Sequence, residues 1–160
     1  VNLLRRTEIE IDLVSVFNKK TVTGSHGTTV IPDKIMKRIN EADYDGLLIP
    51  GGAQSYVLRE TESVKQLVSQ FYEHKKWLMA ICAAPTVFGM MGIMDGVKYT
   101  SFPGTEEDMG KAIRVDKKAV HDGKFITATS VGAVYEFVFE IVQTVLDQKA
   151  LDKLKERIVY

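Results

Sequence analysis

The chain has 160 residues, 45% hydrophobic and 26% charged, ordinary proportions for a globular domain that argue against disorder. Its 21 basic residues balance its 21 acidic ones, so no overall field favours nucleic acid or an anionic membrane surface. One cysteine and three scattered histidines (His26, His74, His121) exclude an intrachain disulfide and argue against a bound metal, and no apolar run approaches the roughly 18 residues that span a bilayer.

The opening stretch, Val1-Asn2-Leu3-Leu4-Arg5-Arg6, reads as the middle of an amphipathic helix with no cap before it. Residues 9–17 begin in strict alternation and end almost wholly apolar, the pattern of a strand passing from edge to core. Residues 21–23 and 28–31, around Gly24-Ser25-His26-Gly27, predict a small β excursion. Pro32-Asp33 predicts the start of a short helix ending near Asn40. Residues 44–50 read as a buried strand that ends in Gly51-Gly52. In residues 62–73, Val64, Leu67, Val68 and Phe71 form a helical stripe. A short apolar strand over residues 77–81 then leads into Cys82. Ala83 and Ala84 follow, and Pro85 suits a first helical turn because its missing N–H has no partner there; the helix runs to about Met91.

Residues 97–101 predict a strand, followed by Phe102-Pro103-Gly104. Thr105-Glu106-Glu107-Asp108 has the acids of a helix start. Residues 115–120 and 124–129 flank an Asp122-Gly123 hairpin turn, and residues 133–146 and 149–157 predict an apolar helix and a charged terminal one. Strand and helix alternate without repeats or linkers, so residues 1–160 read as one α/β domain with a mostly parallel sheet. A cytoplasmic, reducing setting fits the cysteine usage, and no cofactor is implied.

Open α/β sheets bind ligands in the crevice beyond the carboxyl ends of their strands. Three features fall at such ends: Gly51-Gly52, Cys82 and Phe102-Pro103. A thiol at a strand-to-helix turn faces the positive end of a helix, where thiols react as thiolates; the other reading of Cys82 is a small buried hydrophobe. Glycines at a neighbouring strand end leave backbone N–H groups facing the crevice, so Gly52 and Ala83 are candidate donors to an oxyanion or an oxidised sulfur, with Gly51 shaping the turn.

The runs Asp45-Gly46-Leu47-Leu48-Ile49-Pro50-Gly51-Gly52, Ala80-Ile81-Cys82-Ala83-Ala84-Pro85-Thr86 and residues 129–137 resemble the PfpI/ThiJ family across essentially the whole chain. The resemblance implies a flavodoxin-like α/β sandwich with helices on both faces of the sheet, assembled as a homodimer. It implies Cys82 as a reactive nucleophile on an elbow that oxidises readily to a sulfinate, with Phe102 and Pro103 lining the pocket. The activity implied is glyoxalase- or deglycase-like chemistry on small reactive carbonyls or their protein adducts. The alternative is a redox-sensing, stress-protective chaperone in which Cys82 is oxidised.

This chain departs from the family pattern at two histidines. The protease-like branch has a histidine directly after the cysteine, where this chain has Ala83, so cysteine protease activity is not expected. Human-type members have a histidine at the position of Phe102. The family's glutamate partner to the cysteine sits between its first strand and first helix. Val1–Arg6 resembles the later part of that helix, so no residue here takes the carboxylate role, and Glu106 and Glu107 are not assigned to it. The expectation is that a further strand with an acidic residue precedes Val1. His26 reads as a surface-turn histidine; the resemblance adds a second possibility, a polar group lent to the site across the dimer. His74 and His121 read as solvated.

Overall fold

Alternating apolar side chains divide the protein into two cores on the two faces of one sheet. The computed structural model describes all of residues 1–160. In chain order the strands are β1 (Val14–Ser15), β2 (Val22–Thr23), β3 (Thr29–Val30), β4 (Lys34–Ile35), β5 (Gly46–Ile49), β6 (Trp77–Ile81), β7 (Lys98–Tyr99), β8 (Ile113–Arg114), β9 (Ala119–Asp122) and β10 (Phe125–Ala128). The helices are α1 (Gln54–Leu58), α2 (Glu62–Glu73), α3 (Pro85–Met90), α4 (Val134–Val145) and α5 (Gln148–Ile158).

The main sheet has the order β5-β6-β10-β9, parallel except for β9, which pairs antiparallel with β10. Leu78 and Ala80 of β6 turn to one face, where they meet Val64, Val68 and Phe71 of α2 and Val87 and Phe88 of α3. Trp77, Met79 and Ile81 turn to the other, joining Ile126 and Ala128 of β10 with Phe137, Ile141 and Val142 of α4 and Leu151 and Leu154 of α5. Helices therefore cover both faces, the flavodoxin-like arrangement. Each fully buried aliphatic or aromatic side chain contributes about 1.5–3 kcal/mol relative to its exposed state.

Several elements match the sequence pattern closely. The helices over 62–73, 85–90, 134–145 and 148–158 form as expected, and β2 pairs with β3 around the Gly24–Gly27 loop. Others differ. Residues 9–17 form a ladder only at Val14–Ser15, paired parallel with β4 as a separate two-stranded sheet, and β5 has a ladder partner only in β6. Residues 32–40 contain β4 and a single 3-10 turn (Met36–Arg38) in place of a helix. The cause is tertiary: the N–H groups of Asp33 and Lys34 donate to the Leu13 carbonyl at 2.8 and 3.1 Å, and the Asp33 carboxylate accepts from the Leu13 N–H at 2.7 Å.

Residues 106–109 make a 3-10 turn only. Val115 extends β8, donating to Tyr99 O at 2.9 Å, so the hairpin partner of β10 starts later, at Ala119. The short helix α1, absent from the sequence reading, follows Gly52 with no side-chain cap. A polar knot ties β4 to the approach of β5: Lys34 Nζ meets Asp12 at 2.7 Å and Tyr44 Oη at 2.9 Å, and Tyr44 donates to Asp12 at 2.7 Å. The hydrogen bonds from Lys34 and then Tyr44 hold the Asp12 carboxyl below the usual range.

Candidate active site

Three strand ends converge at Cys82. The residue follows β6 with φ +67°, in the left-handed region that costs a non-glycine residue about 1–2 kcal/mol. The surrounding backbone enforces it. Cys82 N–H donates to Ala128 O at 2.9 Å, Phe102 N–H donates to Cys82 O at 2.8 Å, and Ala84 N–H donates to Ile81 O at 3.2 Å. The turn leaves the cysteine half-buried, with a free thiol. Helix α3 beyond it spans only six residues, so individual N–H groups rather than a long helix dipole supply the local positive potential.

Gly51 is the contact that fits β5 to this elbow. A Cβ there would lie 2.4 Å from Cys82 Cβ, 2.8 Å from Ile81 O and 3.3 Å from Cys82 Sγ, so only glycine allows the approach. Gly52 follows with φ +89°. Its carbonyl accepts from Ser55 N–H at 3.0 Å and Ser55 Oγ at 2.7 Å, while its own N–H donates to no acceptor in the chain. Ala83 is alike: its carbonyl accepts from Thr86 N–H at 3.2 Å and Thr86 Oγ1 at 2.7 Å, and its N–H is unengaged. Gly52, one residue beyond the Gly51 contact, and Ala83, next to Cys82 in the chain, thus each carry an unengaged main-chain N–H.

Phe102 reaches the elbow through its main chain, and the residue is 47% exposed; Pro103 is exposed beside it. The loop is braced from within, since Thr105 Oγ1 lies 2.8 Å from Ser101 Oγ and donates to Phe102 O at 2.7 Å. Arg114 pairs with Glu106 and reaches Ser101 O at 3.4 Å. The Glu106 carboxyl is held below its usual range by its own backbone N–H and by Arg114.

His26 is exposed in the β2–β3 loop. Its neighbour Ser25, not singled out by the sequence, approaches the Gly52 turn: Ser25 Oγ lies 3.5 Å from where a Cβ on Gly52 would stand, in the same chain. Membership of a glycine-flanked loop is the only sequence signal it carries. His74 and His121 lie away from the elbow and are exposed but partnered, His74 Nδ1 to Glu41 at 3.0 Å and His121 Nε2 with Gly123 O at 3.0 Å. Two open depressions, lined by Val1, Asn2, Arg5 and Arg6 and by residues 7–12 with Arg5 and Asp33, include no residue of the elbow. No helix is long and apolar enough to cross a membrane.

A largely parallel sheet covered on both faces, with a positive-φ cysteine at the carboxyl end of an inner strand, defines a flavodoxin-like protein with a cysteine elbow. Residues 1–144 match the DJ-1/PfpI family model, and the chain belongs to that family. A deglycase of Pyrococcus abyssi is 30% identical over 133 residues, covering 82% of this chain and 80% of the relative. The Drosophila melanogaster protein DJ-1beta is 26% identical over 156 residues, 96% of this chain and 83% of its own length. A crystal structure of Drosophila DJ-1beta superposes with TM-score 0.92 at 26% identity, covering 99% of this chain and 87% of that one. A DJ-1 superfamily protein of Salmonella typhimurium, in a cysteine-to-alanine mutant, has the same fold at TM-score 0.93 and 24% identity, over 99% of this chain and 88% of its own.

Proposed function

We propose that this protein is a cysteine-dependent enzyme acting on small reactive carbonyls or their protein adducts, in the manner its deglycase-named relatives suggest. The observation that carries the reading is the pairing of a positive-φ Cys82 with the unengaged N–H groups of Gly52 and Ala83. Sγ adds to the aldehyde carbon, and the carbonyl π electrons move to oxygen. The developing alkoxide accepts hydrogen bonds from Gly52 and Ala83, donors whose direction is set before substrate arrives. The thiol proton ends on that oxygen, so formation of the hemithioacetal leaves the proton balance unchanged. Gly51 permits the close approach of β5, and Phe102 and Pro103 wall the opening. Incubation with methylglyoxal followed by intact mass spectrometry tests the first step: a reversible adduct on Cys82, absent from Cys82→Ala, is expected, and adduct formation unchanged in Cys82→Ala rules it out.

A second reading, a redox sensor with chaperone-like protective action, draws support from a different observation. The half-buried thiol retains access to a small oxidant, and two free N–H donors suit sulfinate oxygens as well as an alkoxide. Mild peroxide followed by peptide mapping separates the readings. Selective sulfinate at Cys82 without carbonyl consumption favours the sensor. We also propose a single-domain homodimer in the cytoplasm, for which sedimentation equilibrium is the check on assembly.

A further inference from the structure

Two ion-paired side chains outside the elbow connect its flanks. Arg59, directly after α1, sends Nη1 to Asp108 Oδ2 at 2.6 Å, although the two residues are 49 apart in sequence. Their side chains retain 19% and 35% exposure, so the pair is partly withdrawn from water. The guanidinium lies over the Tyr56 ring at 4.8 Å, and its Nε stands 3.6 Å from Glu60, leaving Asp108 as its shortest ionic partner.

From this pair two arms run to Cys82 through short hydrogen bonds. On one arm Arg59 N–H donates to Ser55 O at 3.1 Å, Ser55 N–H and Oγ donate to Gly52 O at 3.0 and 2.7 Å, and adjoining Gly51 abuts the Cys82 side chain. On the other, Asp108 N–H donates to Thr105 O at 3.2 Å, Thr105 Oγ1 to Phe102 O at 2.7 Å, and Phe102 N–H to Cys82 O at 2.8 Å. The arms leave by different strand ends, and the ion pair joins their far ends directly through side chains. Helix α3, which begins just after Cys82, is packed against both arms. At Gly89 the approach is tightest, since a Cβ would stand 2.5 Å from Asp108 O and 2.7 Å from Met109 Cα.

We infer that the Arg59–Asp108 pair is a positioning clasp that holds the Gly51–Gly52 turn and the Phe102 loop in fixed register about Cys82, and so sets the rate at which the thiol meets an electrophile. This rests on Cys82 being the reacting group. Neither Arg59 nor Asp108 touches substrate in this account; they act through the two arms. The planar guanidinium supports the role, because it fixes direction as well as charge, which a lysine at the same place does not.

The test uses iodoacetamide alkylation of Cys82 in the folded protein, followed by mass spectrometry, with thermal melting alongside. The variants are Arg59→Met, Asp108→Asn and their combination, with Arg59→Lys, which keeps the charge but not the planar fork, and Asp108→Glu in their place should the first two fail to fold. Each folded single variant is expected to change the second-order alkylation rate by about threefold or more, a modest effect for a positioning contact. The double variant is expected to match the single ones, the signature of two residues acting as one unit. Alkylation rates equal to wild type in folded variants with lowered melting temperatures reduce the pair to a structural brace and overturn the inference. Rate effects that add in the double variant overturn it as well. No carbonyl substrate enters the assay, so failure of carbonyl turnover bears on the proposed function and leaves this result independent.

Discussion

Gly51→Ala places one methyl group at the most crowded point of the elbow. Its Cβ would stand 2.4 Å from Cys82 Cβ and 2.8 Å from Ile81 O, both inside the 3.0 Å that real Cβ contacts respect. Neither neighbour is the end of a flexible side chain. One is the Cβ of a residue at φ +67° whose N–H and C=O are both hydrogen-bonded, and the other is a main-chain carbonyl. Relief therefore requires β5 or the elbow to shift as a body. Overpacking of fixed sites costs about 1–3 kcal/mol, and backbone on both contacts puts this change at the upper end, about 3 kcal/mol. For a chain of this size that is a fall in melting temperature of roughly 6–12 °C.

Urea unfolding followed by Trp77 fluorescence measures the loss, and the alkylation rate of Cys82 measures whether the elbow moved. Gly52→Ala is the control. Its nearest neighbour is Ser25 Oγ at 3.5 Å, so it has room, and its cost is the strain of φ +89° alone, about 1–2 kcal/mol. A Gly51→Ala protein with wild-type stability and wild-type Cys82 reactivity would refute the claim that β5 is fitted to the cysteine through this glycine.

Cys82→Gly is expected to be more stable than Cys82→Ala by about 1 kcal/mol, because glycine adopts φ +67° without strain; chemical denaturation of the two variants makes the comparison. The Glu41 carboxyl is held below its usual range by the hydrogen bond from Lys76 and then by His74. A carboxyl depressed in the folded state stabilises above the ordinary unfolded value, and that stability is lost as pH falls through the folded value. Stability should therefore decline from about pH 4 downward, and Glu41→Gln should flatten that acid limb in a melting-temperature profile. Asp147 caps α5 by accepting from Ala150 N–H at 2.7 Å, so Asp147→Ala should cost about 1 kcal/mol in urea unfolding.

What could be read in the sequence is what local pattern encodes. The stripe Val64, Val68, Phe71 defines the buried face of α2, and the run Trp77–Ile81 ends at Cys82 because the small residues and Pro85 start a helix there. Gly51 abuts the Cys82 side chain, a contact that follows from two neighbouring strands ending side by side. What could not be read depends on distant partners. The strand β4 exists because Asp33 and Lys34 meet Leu13, 20 or more residues away, and no periodicity in residues 32–40 signals that. Helix α1 is only five residues long and uncapped, so it leaves no pattern to detect. Ser25 beside Gly52 and the Arg59–Asp108 pair arise from tertiary folding alone, so no local pattern in the sequence signals them.

The central claim is that Cys82 does the chemistry, and it is tested most directly by methylglyoxal consumption under identical conditions by wild type and Cys82→Ala, with thermal melting to show that both are folded. Consumption above the buffer rate by wild type and its loss in Cys82→Ala is the predicted result. Equal consumption by the two folded proteins would contradict it.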